Sequence, residues 1–192
     1  DEFEQPNAFA DANWGPQDAS HPTKDNQRMV SLEETKSVCG FIVFMHGAPI
    51  MWKAFKEARG SRSSCEAEIR ATNEASKLTV GLRNLITDLA EKGYPITDSG
   101  SASQVYNDNE ACVKWSHNMT MKATRHLEQK ENSVREWVQD KTIKVTHVAG
   151  KCNPADLFTE HLESAARLTK LIQMLNCEFR DRRAASASSL KK

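Results

Sequence analysis

Four acidic residues lie where the predicted secondary-structure elements begin or end. They are Asp11 in "FADANW", Glu66 in "SSCEAE", Asp108 in "YNDN" and Asp156 in "NPAD". In an α/β sheet the ends of strands and the starts of the following helices gather at one edge, where the four carboxylates could meet. Such a group would repel itself unless divalent cations neutralised it, and oxygen-only ligands suit Mg²⁺ or Mn²⁺. Two such ions can clamp the attacking and leaving oxygens of a phosphodiester.

Each acid also has a purely structural explanation. Glu66 stands three residues after Ser63 and can complete a capping box with it. Asp156 stands three residues after Asn153, in the electropositive first turn of a predicted helix. Asp108 can cap the helix behind it. The residue types alone leave open whether these acids are helix caps or a metal site.

The apolar pattern predicts an α/β sheet with helices packed on it. Strands are predicted at 37–45, 50–53, 104–107 and 142–148, and the segment 2–10 is a poor first strand because Pro6 removes a ladder donor. Helices are predicted at Cys65–Lys92, closed by Gly93, at 109–116, at 119–139, and from Asn153-Pro154 onward through Leu157, Leu168, Leu171 and Leu175.

Length and composition predict one globular domain. The chain has 192 residues, is 39% hydrophobic and carries 26 basic and 26 acidic residues, so net charge does not identify a partner. We expect a domain over residues 1–178 with a long loop or insertion at 15–36, and a disordered basic tail at 179–192. Five cysteines without a CxxC pair favour a reducing, intracellular location. No run of about 18 apolar residues occurs, so no membrane partner is expected.

Six segments of the sequence occur in one order and spacing that is specific. They are "ADANW", "SVCGFIVFMHGAPIMWK", "SRSSCEAEIRA", "VYNDNEACVKW", "ATRHLEQKENSVREWV" and "IKVTHVAGKCNPADLFTEHL". Together they resemble the ribonuclease H domain of copia-type LTR-retrotransposon polyproteins, which combine reverse transcriptase and ribonuclease H. The resemblance runs from about residue 9 to about residue 162.

The resemblance implies a ribonuclease H-like fold, a five-stranded mixed sheet flanked by helices. It implies hydrolysis of the RNA strand of RNA–DNA hybrids with two Mg²⁺ or Mn²⁺ ions, held by Asp11, Glu66, Asp108 and Asp156 as the catalytic carboxylates. It further implies a reverse transcriptase domain in cis, removal of template RNA after first-strand synthesis, and a cytoplasmic virus-like particle as the location. Asn13 departs from the family, whose members often carry a second acid at that point.

Three further residues are candidates for substrate binding. His126 in "ATRHLE" matches a histidine that the family usually shows, and otherwise it is a packed helix residue. Lys53 and Arg62 lie in the basic run "WKAFKEARGSRSS", which could neutralise phosphates, although a solvated loop is the commoner case. The tryptophans Trp14, Trp52, Trp115 and Trp137 are predicted to be core residues rather than stacking platforms.

Two other functions compete with the nuclease. One is a catalytically inactive domain of the same fold that binds hybrid or supports a neighbouring polymerase domain, which the poor first strand and Asn13 favour. The other is a different nuclease or integrase of the same fold, which the spacing of the acids fits less well.

Overall fold

The computed structural model describes residues 5–15, 36–96, 100–118, 129–162 and 164–175, without the side chains of 129–131. The strands are β1 (Asn7–Asn13), β2 (Val38–Met45), β3 (Ala48–Lys56), β4 (Ser103–Asn107) and β5 (Ile143–His147). The helices are α1 (Ser64–Glu91), α2 (Glu110–His117), α3 (Gln129–Gln139) and α4 (Ala165–Met174). Two short 3-10 turns, Gly150–Cys152 and Pro154–Phe158, lie between β5 and α4.

The five strands form one mixed sheet in the order β3-β2-β1-β4-β5. The pairs β1–β2 and β2–β3 are antiparallel, whereas β1–β4 and β4–β5 are parallel. The predicted five-stranded mixed sheet flanked by helices is therefore confirmed. The parallel pairs bring the carboxyl ends of β1, β4 and β5 to the same edge of the sheet.

The expectation of a poor first strand is wrong. Pro6 lies immediately before β1, so it removes no hydrogen bond from the ladder. β1 pairs with β2 along its whole length, from Asn7 opposite Phe44 to Asn13 opposite Val38, and it pairs with β4 on its other side. Asp11 is thus held in the central strand of the sheet.

Alanine side chains bring α1 close to the centre of the sheet. Ala8 and Ala10 of β1 are fully buried and pack in one cluster with Ala67, Ala71 and Ala75 of α1. Small side chains on both surfaces leave little between the helix and the strand. The predicted bounds of α1 differ from the observed ones by one residue, and Gly93 (φ +85°) follows the helix in a conformation that favours glycine.

The chain after β5 differs from the single long helix predicted there. Asn153 caps as expected, since its side chain accepts a hydrogen bond from the Ala155 N–H, but the segment it opens is the 3-10 turn Pro154–Phe158. α4 begins only at Ala165, after its own cap Ser164. This turn packs on β2 at Gly40, where an added Cβ would lie 2.7 Å from the Phe158 Cβ.

Several predicted features lie outside the described residues. They are most of the 15–36 loop, the 179–192 tail, the start of the predicted 119–139 helix and His126. Among the described helices none is both long and apolar enough to cross a membrane.

Candidate metal centre

Three carboxylates meet at the carboxyl ends of the two central parallel strands. Asp11 lies near the end of β1, Asp108 follows directly after β4, and Glu68 lies in the first turns of α1. Each offers a carboxylate oxygen, and these oxygens all lie within 4.8 Å of one another. A single divalent cation coordinated by oxygen can bridge a group of that size.

Asp11 is positioned from two sides. Its backbone lies opposite Gly40 of β2 in the antiparallel register. Its Oδ2 accepts a hydrogen bond from the Thr159 hydroxyl, which the turn Pro154–Phe158 brings over the sheet. Gly40 permits this approach, because an added Cβ would lie 2.8 Å from the Thr159 Cγ2. Burial and the neighbouring charge of Asp108 raise the pKa of Asp11 to about 6, against the lowering effect of Thr159.

Glu68 is the most strongly perturbed acid of the group. Its Oε2 accepts a hydrogen bond of 2.8 Å from Nδ2 of Asn107, the last residue of β4. The same Asn107 amide also contacts the Thr72 hydroxyl at 3.2 Å, so it holds β4 against α1. Burial, followed by the charge of Asp11, raises the pKa of Glu68 to about 9. Burial therefore disfavours the ionised form of Glu68 unless a cation offsets its charge.

Asp108 does not cap α2, contrary to the structural alternative for this residue. The cap is Asn109, whose side chain accepts a hydrogen bond of 3.0 Å from the Cys112 N–H. The Asp108 carboxylate instead lies beside Gly150, where an added Cβ would be 2.9 Å from its Oδ2. Its pKa is raised mainly by burial. Freed from capping, the carboxylate belongs to the three-acid group.

Asp156 lies next to this group but outside the set of three. Its side chain is buried in the turn Pro154–Phe158, and its Oδ2 accepts a hydrogen bond of 2.5 Å from the guanidinium of Arg167 on α4. Arg167 also contacts the Glu160 carboxylate at 2.8 Å. Burial, then the charge of Asp11, raises the pKa of Asp156 to about 7 despite this arginine. Asp156 thus shares the electrostatic field of the centre.

Glu66 lies outside the three-acid group, and the structure shows the Ser63 half of the capping box that its structural alternative predicts. The Ser63 hydroxyl accepts a hydrogen bond from the Glu66 N–H at 3.2 Å. The Glu66 carboxylate accepts one from the Arg62 N–H at 2.8 Å and another from the Arg70 guanidinium at 2.8 Å. Its oxygens are therefore engaged by the loop before α1 and by Arg70, and Glu66 is outside the three-acid group.

The predicted substrate-binding residues occupy exposed surface where they are described. The Lys53 ammonium lies 5.3 Å from the centre of the Phe55 ring, and the side chain of Arg62 is exposed in the loop before α1. Two tryptophans differ from the core prediction, since Trp14 is 52% and Trp52 is 60% exposed. Trp115 is buried as predicted, beneath the Arg135 guanidinium.

Sequence reasoning missed Glu68 and the residues that hold the centre together. The helical period offers a signal for Glu68. Ala71 and Ala75 lie on one apolar face of the helix, and position 68, three residues before Ala71, lies on the same face, whereas position 66 does not. A glutamate on an apolar stripe is unusual. Thr159, Gly40 and Arg167 carry no such signal, because their contacts join segments far apart in the chain.

Comparison with known proteins gives relatives of one kind. No family model matches the chain. It is 27% identical over 132 residues to the retrovirus-related Pol polyprotein from transposon TNT 1-94 of Nicotiana tabacum, which covers 67% of the chain and 9% of that protein. It is 27% identical over 160 residues to that of transposon RE1 of Arabidopsis thaliana, covering 83% and 10%. The Ty1-DR1 Gag-Pol polyprotein of Saccharomyces cerevisiae is 28% identical over 153 residues, covering 73% and 8%.

The chain spans about a tenth of the length of these curated relatives. Among solved structures, it is similar to RNase H1 of the halophilic archaeon Halobacterium salinarum, with a TM-score of 0.48 and 15% identity, covering 81% of this chain and 94% of that one. LC11-RNase H1 in complex with an RNA/DNA hybrid gives a TM-score of 0.49 and 13% identity, again covering 81% and 94%.

The family that the six sequence segments predict agrees with these relatives, which are copia- and Ty1-type retrotransposon polyproteins. In the strand order β3-β2-β1-β4-β5, the pairs β3–β2 and β2–β1 are antiparallel and the pairs β1–β4 and β4–β5 are parallel. This arrangement agrees with the predicted fold. The chain thus has a ribonuclease H-like fold and is similar in sequence to the Pol polyproteins of copia/Ty1-type LTR retrotransposons.

Proposed function

We propose that this domain is a metal-dependent endonuclease that hydrolyses the RNA strand of RNA–DNA hybrids during retrotransposon reverse transcription. The observation that carries the proposal is the group of Asp11, Glu68 and Asp108, whose oxygens lie within 4.8 Å of one another. Structural roles alone do not account for three buried or half-buried acids placed so close together, since each raises the cost of ionising the others. The relationship to retrotransposon polyproteins supplies the reaction class.

The donor set fits divalent magnesium or manganese. Asp11, Glu68 and Asp108 offer only carboxylate oxygens, which suit these hard cations. Their raised pKa values have burial as the main cause, and a bound cation offsets that cost by neutralising the negative charge. We propose two ions, with Asp156 as the fourth carboxylate beside the group. Bound ions of this kind supply charge stabilisation to the attacking water and to the leaving oxygen of the phosphodiester.

We assign the glutamate ligand to Glu68 rather than to the predicted Glu66. Glu66 accepts hydrogen bonds from the Arg62 backbone and the Arg70 guanidinium, which position the start of α1. Glu68 lies beside Asp11 and Asp108 instead.

The remaining residues of the centre hold these carboxylates in place. Asn107 orients Glu68 by donating to its Oε2, and Thr159 orients Asp11 by donating to its Oδ2. Fixed ligands lose little conformational entropy when a cation binds, so this arrangement is prepared for binding. Arg167 compensates the negative charge of Asp156 at the edge of the centre.

The biological setting is part of the same proposal. The domain would act in cis with a reverse transcriptase within a polyprotein, take the RNA–DNA hybrid as its substrate and remove template RNA after first-strand synthesis. A virus-like particle in the cytoplasm is the corresponding location. The relatives, of which this chain matches about a tenth, support that setting.

The experiment is cleavage of a hybrid labelled on its RNA strand, resolved on a denaturing gel, with Mg²⁺, with Mn²⁺ and with chelator. Wild type is compared with Asp108→Asn, Glu68→Gln and Glu66→Gln, the last two being matched changes two residues apart. We expect metal-dependent cleavage of RNA that falls at least 100-fold in Asp108→Asn and Glu68→Gln but less than tenfold in Glu66→Gln. A folded wild type that binds hybrid without cutting it would favour the inactive domain, and preferential cutting of duplex DNA would favour a different nuclease.

A further inference from the structure

Trp14 is an exposed aromatic side chain close to the candidate metal centre. It stands three residues after Asp11, immediately beyond the end of β1. Three residues of extended chain span about 10 Å, so the Cα atom of Trp14 lies within about 10 Å of the Cα atom of Asp11. The side chain is 52% exposed. Its ring is therefore accessible to a ligand.

The orientation of Trp14 is fixed despite its exposure. Its indole Nε1 donates a hydrogen bond of 3.1 Å to the backbone carbonyl of Ser61, in the loop between β3 and α1. The contact joins two segments 47 residues apart in the sequence. The hydrogen bond therefore restrains the indole ring before any ligand arrives.

The loop that holds Trp14 is itself braced by a buried ionic network. The Ser61 hydroxyl donates to the Glu57 carboxylate at 2.7 Å, and the side chain of Glu57 is almost completely buried. Arg70 of α1 contacts Glu57 at 3.3 Å and donates to the Arg59 carbonyl at 2.9 Å. The network ties the loop to α1, the helix that carries Glu68. Trp14 is thus connected, through this loop, to the helix that carries the proposed ligand Glu68.

The surface around Trp14 carries positive charge. Arg59 and Arg62 of the same loop are exposed, and Lys56 at the end of β3 is exposed as well. Lys56 lies in the same row of the sheet as Asn13, the residue that precedes Trp14, with Val38 between them. An aromatic face beside cationic side chains is the combination that binds nucleic acid strands, through stacking on a base or sugar and through contacts with phosphates.

We propose that Trp14, held by the Ser61 carbonyl, is a stacking platform that positions a nucleotide of the bound hybrid next to the metal centre. This rests on the proposed function, because it assumes that the substrate of the centre is a nucleic acid. Trp14 is a positioning residue that fixes the register of the strand. Its loss weakens hybrid binding, while the carboxylates that perform the chemistry remain in place.

The test measures binding apart from cleavage, in an Asp108→Asn background with Mg²⁺ and a fluorescently labelled hybrid. Trp14→Ala is compared with Trp52→Ala, a matched control that removes an equally exposed tryptophan from the edge strand β3. Stacking on one base of a single strand corresponds to about a 5- to 100-fold change in Kd, and the lower end applies here because the bases of a hybrid are paired. We expect Trp14→Ala to raise Kd by at least fivefold and Trp52→Ala to change it less than twofold. Thermal unfolding checks that both variants are folded.

A second readout separates stacking from a structural role. Hybrid binding should quench intrinsic tryptophan fluorescence in the Asp108→Asn chain. Trp14→Phe should remove most of that quenching and keep part of the affinity, since it retains an aromatic ring but loses the hydrogen bond to Ser61. Equal Kd values for Trp14→Ala and Trp52→Ala overturn the platform, as does a parent chain that binds no hybrid. Cleavage by the otherwise wild-type chain decides the proposed function separately, since Trp14-dependent binding without cleavage would overturn the nuclease alone.

Discussion

Replacement of Glu68 by glutamine should stabilise the metal-free domain although it removes a proposed ligand. In the folded chain, burial and the charge of Asp11 raise the pKa of Glu68 from 4.5 to about 9. Between these values the unfolded chain has lost the proton while the folded chain still holds it. Folding therefore takes up a proton, and the free energy of unfolding falls as the pH rises through this window. Glutamine has no proton to take up and can still accept the hydrogen bond from Asn107.

The size of the effect follows from the distance between the two pKa values. At pH 7 the uptake of this proton lowers the free energy of unfolding by about 3 kcal/mol, because each pH unit above 4.5 contributes about 1.36 kcal/mol. For a domain of this length that corresponds to roughly 6–12 °C in Tm. At pH 5 the same reasoning leaves a difference under about 1 kcal/mol. Glu68→Gln should thus exceed wild type in Tm at pH 7 and approach it at pH 5, with chelator present.

Magnesium should stabilise wild type more than it stabilises Glu68→Gln. Wild type gains about 1.4 kcal/mol when free Mg²⁺ is tenfold above Kd, because the ion binds only the folded chain. Glu68→Gln should gain much less, since one of three carboxylates is absent. Glu66→Gln is the matched control: it keeps the response to Mg²⁺ but loses up to about 1 kcal/mol of stability, because the ion pair with Arg70 is weakened.

Thermal unfolding followed by circular dichroism, at pH 5 and pH 7 with chelator or Mg²⁺, measures all of these differences. The assignment of Glu68 is refuted if Glu68→Gln is no more stable than wild type at pH 7 without metal. It is also refuted if Glu66→Gln, and not Glu68→Gln, abolishes the stabilisation by Mg²⁺.

Two further changes test how the turn Pro154–Phe158 and α4 support the centre. Gly40→Ala places a Cβ 2.7 Å from the Phe158 Cβ and 2.8 Å from the Thr159 Cγ2. It should therefore destabilise the domain by about 1–3 kcal/mol in denaturant unfolding and weaken Mg²⁺ binding. An unchanged Mg²⁺ affinity would contradict the role of this turn in positioning Asp11. Arg167→Gln removes the cation beside Asp156, whose pKa of about 7 means that it is mostly protonated at pH 5 and ionised at pH 9. The loss of metal-free stability should therefore be small at pH 5 and reach about 1–2 kcal/mol at pH 9, discounted for the exposure of Arg167; a loss independent of pH would contradict this cause.

The choice between Glu66 and Glu68 shows where sequence reasoning was limited. The long helix was predicted within one residue of its observed bounds, because apolar residues recur every three or four positions from Ala71 to Leu89. Two residues along a helix differ by about 200° in direction, so "CEAE" places one glutamate toward the loop and the other toward the sheet. The match to the family's motif pointed to Glu66, and the capping box was its structural alternative. In the structure the Glu66 carboxylate accepts hydrogen bonds from the Arg62 N–H and the Arg70 guanidinium, and Glu68 lies with Asp11 and Asp108.

Contacts between distant segments were the second limit. The sequence placed Asp11, Asp108 and Asp156 at the edges of predicted elements, and the structure brings the first two together in the three-acid group and leaves Asp156 beside it. The hydrogen bond from Thr159 to Asp11 joins residues 148 positions apart, and it depends on the lack of a side chain at Gly40. Local patterns carry no information about such a pair.

The order of the strands explains why buried acids can be held at this edge without unfolding it. β1 lies at the centre of the sheet, paired on both sides, and its alanines pack against those of α1. A strand so placed is stabilised by the core along its whole length, so the repulsion concentrated near Asp11 acts on a rigid element and not on a loop. Metal binding then removes an electrostatic cost from a frame that is already formed. Substitution of Glu68, Asn107 or Thr159 should accordingly change the affinity of the centre for cations. The stability of the fold depends instead on the alanine-lined contact of β1 with α1.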